Sequence, residues 1–397
     1  MKRYFNIFTA VLIAAILMSC EKETQNNENI GTSVDIEGNY IHFDTGVSTR
    51  GALYLDDYVK DNFAVIGYNY RSTWEAAKAM AKPNVFDNTP QTVTYNSSDG
   101  GGYYTYDPIK QWTGYNYAFF GYYPINDQIT PIEEGSEGEP YITYALPGGA
   151  DPSSFIDVMT ASYVDTNANS SKDVRLNFEH RLVAVDVGAR CYYDYDPDPD
   201  NKRTDDIVQA TVEIKQVWLT FANLENKAAK LYLNKDHTPR AEYTKATDTE
   251  MKRMIQLLSV DQSSIDIEPN GDGNTQMRII TNPTNKEYGN AEGQQKVYRG
   301  PAGTTMILIP QNTPLKVNPQ MQYYLRLPNG KYIQQDKKSV GDSPYTFHFT
   351  QKFSFDRPLL EGRRYFIQFN FTSDAVSVNI VAADEWDEFD QIDYEFE

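Results

Sequence analysis

Apolar residues in this chain come in short alternating or continuous runs, and clusters of Gly, Pro, Asn and Asp close nearly every one. The runs cover Val34–Phe43, Asn62–Tyr70, Tyr115–Tyr123, Val174–Val187, Val212–Phe221, Met306–Ile309, Tyr323–Leu327, Tyr345–Phe355, Tyr365–Phe371 and Val376–Val381. Period-two spacing bounded by turn formers is how strands are written, and so many short ones make an all-β sandwich the expected fold. Tyr 30 and Phe 19 beside four His fit that reading, since aromatic side chains suit a pleated, half-buried surface. Two short helices are expected as insertions. Ser72-Thr73-Trp74-Glu75 has capping-box spacing before an Ala-rich stretch that stops ahead of Pro83, and Thr247 and Glu250 open a segment with Met251, Met254, Ile255 and Leu258 on one helical face. No repeat of about 20 to 50 residues is visible, which sets solenoids and propellers aside.

The first twenty residues point to a compartment. Lys2 and Arg3 precede an apolar run from Phe8 to Met18 that is shorter than a bilayer-spanning helix needs, and it reads as a secretory signal over residues 1–19. Leu17-Met18-Ser19-Cys20 resembles a bacterial lipobox, in which the Cys receives a diacylglycerol thioether and becomes the mature N-terminus. With Cys20 lipidated, Cys191 is the remaining thiol, so no intrachain disulfide is expected and stability must come from packing. Residues 20–33 are polar apart from Ile30 and form a solvated tether. Glu21 and Glu23 beside the Cys are similar to the surface-export signal of Bacteroidetes lipoproteins.

The body of the chain excludes several classes of function. With 397 residues, 40% hydrophobic and 23% charged, it reads as a water-facing globular protein of two domains. A polar, featureless stretch at 166–171 marks the boundary, giving sandwiches over 34–170 and 171–397. Lys+Arg 36 against Asp+Glu 55 gives a net charge of -19, which argues against nucleic acid or anionic headgroups as partners. His42, His180, His237 and His348 lie far apart without metal-ligand spacing, and no Ser elbow or Cys/His pairing appears, so an enzyme and a bound cofactor are not expected. Asp194, Asp196, Asp198 and Asp200 alternate like the start of a calcium loop, but Pro197 and Pro199 stiffen it and the later Gly and Glu are missing, leaving a solvated turn. Gly100-Gly101-Gly102 lacks the strand-to-helix setting of a phosphate loop and reads as a hairpin tip. The Tyr-rich stretches Tyr103–Tyr106 and Tyr115–Tyr123 could stack on sugar rings, or be buried as strand faces usually are.

Several segments, taken in order, carry a family resemblance. The lipobox, Ile41-His42-Phe43, Ser48-Thr49-Arg50-Gly51, Phe63–Tyr68, Tyr117–Pro124, Asp157–Ala161 and Val174–His180 resemble the fimbrillin (Mfa-like) proteins of Bacteroidales, and the likeness runs from residue 1 to Trp386. The resemblance implies two transthyretin-like β-sandwich domains in a type V pilus subunit. Such a subunit is exported as an outer-membrane lipoprotein, cut by an arginine-specific protease that removes the first strand, and polymerised by strand exchange. Arg50 followed by Gly51 is the candidate scissile bond.

The residues themselves make that mechanism coherent. A cut after Arg50 would free a strand segment containing Val34, Ile36, Tyr40, Ile41 and Phe43, leaving an open apolar groove of the kind that recruits another chain. At the other end Gln391–Glu397 alternates with Ile392, Tyr394 and Phe396 on one face, which is donor-strand grammar; an acidic solvated tail is the competing reading. Arg50 and the alternating tail together favour a stalk subunit over an anchor or a tip. The expected partners are other fimbrial subunits, the protease, the outer membrane through the lipid on Cys20, and host or microbial surface glycans or proteins. From another class, the alternative is a monomeric, surface-exposed glycan-binding lipoprotein.

Overall fold

The computed structural model describes residues 39–47, 59–79, 81–97, 102–132, 138–147, 156–165, 173–196, 208–245, 253–258, 265–267, 277–279, 286–288, 297–299, 306–373 and 375–383. Their regular structure is almost wholly strand. The first sheet has seven strands in the order β1 (Phe43–Val47), β9 (Val174–His180), β8 (Met159–Asp165), β5 (Asn116–Tyr123), β2 (Phe63–Tyr70), β3 (Gln91–Asn96) and β4 (Tyr103–Thr105). A four-stranded sheet runs β15 (Ala241–Lys245), β14 (Asn226–Tyr232), β7 (Tyr141–Ala145) and β6 (Ile129–Ile132). A third sheet runs β16 (Arg253–Leu258), β13 (Thr211–Phe221), β22 (Lys316–Arg326), β23 (Tyr332–Ile333) and β24 (Val340–Gly341), with β17 (Ile265–Ile267) on β13 and both β25 (Phe347–Phe349) and β26 (Phe353–Ser354) on β22. The fourth runs β19 (Lys286–Tyr288), β20 (Val297–Arg299), β18 (Met277–Ile279), β10 (Val183–Tyr192), β27 (Arg364–Thr372) and β28 (Val376–Ala383), with β21 (Met306–Leu308) also on β10. A two-stranded ribbon pairs β11 (Asp194–Tyr195) with β12 (Val208–Gln209).

Period-two alternation explains how these sheets pack. In the first sheet β2 and β5 are buried on both faces. Phe63, Val65, Tyr117 and Phe119 point into one core with Ile41, Phe43, Phe86, Tyr106 and Trp112. Ala64, Ile66, Ala118 and Phe120 point the other way, toward Ile142, Tyr144, Ala229 and Leu231 of the four-stranded sheet. Gly67, inside β2, permits the close approach of the 84–86 segment: a Cβ there would stand 2.6 Å from the Phe86 ring and 2.9 Å from Val85. The second core continues into the C-terminal sheets through Val183, Val185 and Val187 of β10, Ile367, Phe369 and Phe371 of β27, and Val212, Ile214 and Leu219 of β13.

The expected run Val174–Val187 divides where the chain passes from the first sheet to the fourth. Arg181 occupies that step, fully buried, with its guanidinium donating to Glu361 at 2.6 Å and to Thr160, the Tyr232 carbonyl and the Arg240 carbonyl at 2.8 Å each. Burial lowers the Arg181 pKa despite the opposing pull of Glu361. Beside it, His180 Nδ1 lies 2.8 Å from Asp157 Oδ2, both side chains buried. The expected boundary at 170/171 falls between β8 and β9, which pair within one sheet, and β7 on its N-terminal side pairs with β14 on its C-terminal side.

Three expectations need correction. The segment Arg253–Leu258 is not a helix: it is strand β16, paired antiparallel with Val217–Phe221 of β13. An apolar stretch this short satisfies helical and extended patterns alike, and β13 offers a ladder on that side. The helix α1 (Trp74–Ala77) does form, but its cap is Thr73, whose hydroxyl accepts from the Ala76 amide at 3.3 Å, not Ser72. Within the described part of the run Val34–Phe43, which starts at Asn39, the first strand begins only at Phe43, because residues 39–41 lie instead along 110–112. There the Trp112 amide donates to the Asn39 carbonyl and the Ile41 amide to the Lys110 carbonyl.

Candidate functional site

The candidate site for the strand exchange expected from sequence is the slot of β1. This strand lies at one edge of the first sheet and pairs parallel with β9 from Phe43 opposite Val174 to Val47 opposite Phe178. The ladder is extended by the Val174 amide, which donates to the His42 carbonyl at 2.7 Å. Alternation sends Ile41, Phe43 and Thr45 inward, at 0%, 6% and 2% exposure, and leaves His42 and Asp44 half-buried on the other side. Phe43 meets Phe119 at 5.3 Å and Tyr106 at 5.5 Å between ring centroids, and Phe63 and Phe86 at 6.4 and 6.3 Å. Fully burying side chains of this size contributes about 1.5–3 kcal/mol each, so Ile41 and Phe43 together supply about 3–6 kcal/mol of what holds the strand.

The edge of β1 away from β9 is held by side chains. The Val59 amide donates to Thr45 Oγ1 at 3.2 Å, Thr45 Oγ1 lies 2.7 Å from the Tyr104 hydroxyl, and that hydroxyl donates to the Val59 carbonyl. The Tyr106 hydroxyl donates to the Ile41 carbonyl at 2.9 Å and accepts from the Lys110 amide at 3.2 Å. Burial pushes the Tyr106 pKa up to about 12, so the phenol stays a donor throughout the physiological range. Asp44 is raised by burial too, a shift opposed by the Thr45 amide and by Arg175.

The positions singled out from sequence, Cys20, Arg50, Gly51, Ile392, Tyr394 and Phe396, all lie outside the described residues. Described residues end at Val47 on one side of Arg50 and resume at Val59 on the other, and end at Ala383 before the C-terminal alternation. Of the tyrosines in the two Tyr-rich stretches, Tyr106, Tyr117 and Tyr122 are buried and offer no stacking platform for sugars, whereas Tyr103, Tyr104, Tyr115 and Tyr123 are half-buried. Gly102 stands in the connection of a true hairpin, with Asn96 opposite Tyr103. Among the described residues no group of three or more His, Cys, Asp or Glu side chains is placed to hold a metal ion. Sequence reasoning missed Tyr104 and Tyr106 as partners of β1, because contact between the two ends of a seven-stranded sheet leaves no local signal.

Comparison with solved structures supports the fold. The chain is similar to a fimbrial protein from Bacteroides vulgatus, with a TM-score of 0.55 at 16% sequence identity, over 87% of this chain and 99% of that one. A candidate cell adhesion protein from Bacteroides uniformis aligns with a TM-score of 0.39 at 12% identity, over 87% of this chain and 98% of that one. Another, from Bacteroides ovatus, gives 0.37 at 14% identity, over 87% and 96%. No family model and no curated protein matches the chain.

Proposed function

We propose that this chain is a non-enzymatic structural subunit of a type V fimbria, built on two transthyretin-like sandwiches and contributing to cell adhesion. It reaches the outer-membrane surface as a lipoprotein through Cys20. An arginine-specific protease then cuts between Arg50 and Gly51, and the segment bearing β1 leaves the first sheet. The C-terminal strand of another subunit fills the vacated slot with Ile392, Tyr394 and Phe396. Having both a cleavable first strand and a donor tail, the chain acts as a stalk subunit in a homo- or heteropolymer that meets host or microbial surface glycans or proteins.

The observation that carries this reading is the construction of β1. It is an edge strand, it ends three residues before Arg50, and its Ile41, Phe43 and Thr45 are buried in the core it completes. Losing such a strand leaves apolar surface beside an unpaired ladder edge on β9, and both are satisfied by an incoming strand of matching alternation. The resemblance of the fold to a fimbrial protein agrees with this. Changing Ile392, Tyr394 and Phe396 together to Ser should abolish polymers while the monomer stays folded; normal ladders from that variant on non-boiled gels would contradict donor-strand exchange.

A further inference from the structure

The hydrogen bonds on the far side of β1 form a closed ring that spans the candidate cleavage site. Thr45 stands N-terminal to Arg50 and Val59 stands C-terminal to Gly51. The ring can be followed proton by proton: the Val59 amide donates to Thr45 Oγ1, the Tyr104 hydroxyl donates its one proton to the Val59 carbonyl, and so the Thr45 hydroxyl must donate to Tyr104. Every member is satisfied by another. Tyr106 adds a second tie, from the end of β4 to the Ile41 carbonyl. The ring of Tyr104 packs on Phe63 at 5.4 Å, and that of Tyr106 packs on Phe86 at 5.4 Å as well as on Phe43 of β1 at 5.5 Å, so both phenols keep core neighbours that remain when β1 leaves.

We infer that Tyr104 and Tyr106 form a latch that keeps β1 seated after the Arg50–Gly51 bond is cut, so that processing first produces a nicked subunit and the slot opens only when the latch lets go. This rests on the reading of β1 as a removable strand. On one edge β1 has a five-residue parallel ladder; on the other, among the described residues, no strand pairs with it, and the segment is tied by these phenols and, just before β1, by two backbone bonds between 39–41 and 110–112. A latch of side chains suits an exchange reaction: the hydroxyls yield one at a time, whereas a second full ladder would have to separate together. It also keeps an empty groove from being exposed to unrelated edges before a donor arrives.

Two measurements test the latch. In the uncut chain, hydrogen exchange of the amides of Phe43–Val47 should quicken about fivefold for Tyr104→Phe and again for Tyr106→Phe, the equilibrium factor of one ordinary hydrogen bond each. Amides of β13 and β22 serve as the internal reference, and Tyr163→Phe, whose phenol donates to Asp165 instead, should leave β1 unchanged. Equal exchange in β1 for wild type and the double variant would overturn the inference, as would an equal effect from Tyr163→Phe. Next, each chain is nicked with an arginine-specific protease and loss of the segment ending at Arg50 is followed by size exclusion. The double variant should release it about twenty-five-fold faster than wild type. Equal release would overturn the latch. If no cut occurs at Arg50 while the exchange difference holds, the latch stands and the processing reading fails.

Discussion

Replacing Phe43 by Ala should cost far more than its position on an edge strand suggests. The ring is 6% exposed and sits among four aromatic neighbours, meeting Phe63 and Phe119 edge to face at interplanar angles of 90° and 88°. Removing a buried phenylalanine typically costs about 3–5 kcal/mol, transfer and cavity together. Edge-to-face pairs add about 0.5–1.5 kcal/mol beyond burial, which places this site in the upper part of that range. Taking a urea m-value of about 2–3 kcal/mol/M, a cost of about 4–5 kcal/mol should lower the midpoint by about 1.3–2.5 M. Trp112 packs 6.2 Å from Phe119 in the same core, so tryptophan fluorescence reports on this unit. His42→Ala, on the opposite side of the segment, should stay within about 0.5 kcal/mol. If Phe43→Ala lowers the midpoint by less than about 0.3 M, β1 is a dispensable cover rather than a core strand, and its loss could not drive recruitment of a donor.

Other consequences follow from the buried polar groups. Arg364 and Asp186 form a buried ion pair between neighbouring strands β27 and β10, so Arg364→Met alone should destabilise by about 3–5 kcal/mol and Arg364→Met with Asp186→Leu should recover most of that in thermal melts. Burial pushes the Tyr70, Tyr106 and Tyr323 phenols up to about 12, above their ordinary value of 10.0. The stability they contribute is complete below pH 10 and is lost as pH rises through about 12; the share of phenolate absorbance that comes from these three buried residues should therefore appear together with unfolding. Asp44 has the opposite linkage for an acid: its pKa is raised, chiefly by burial, so the folded chain disfavours its charged form and stability falls as pH rises through the shifted range. Asp44→Asn should raise the melting temperature at neutral pH, and the advantage should shrink as pH falls toward 3.8, the unshifted value.

What could be read from sequence was the alternation, and it located most long strands because their inward residues repeat every second position. Phe63–Tyr70, Asn116–Tyr123, Thr211–Phe221 and Arg364–Thr372 all follow from it. It failed where local propensity and tertiary pairing disagree. Asn226–Tyr232 contains Ala-Ala-Lys-Leu, which reads as helix former, yet it is held extended between β7 and β15. Lys316–Arg326 was legible only from Tyr323 onward, because Pro319 interrupts a pattern that nonetheless alternates through the whole strand. The break at Arg181 was hidden too, since nothing in Val174–Val187 announces that its two halves belong to different sheets. At the candidate site, the apolar pair Ile41 and Phe43 was evident, but the partners that hold it come from about sixty residues downstream and needed the folded chain.

The most direct test is digestion of the purified chain starting at Glu21 with an arginine-specific protease, followed by N-terminal sequencing and non-boiled electrophoresis, with Arg50→Ala run alongside. The account predicts a new N-terminus at Gly51 and a heat-sensitive ladder from the wild type, and an intact monomer from Arg50→Ala. A chain that is cut at Gly51, loses its first strand and still remains monomeric would contradict it.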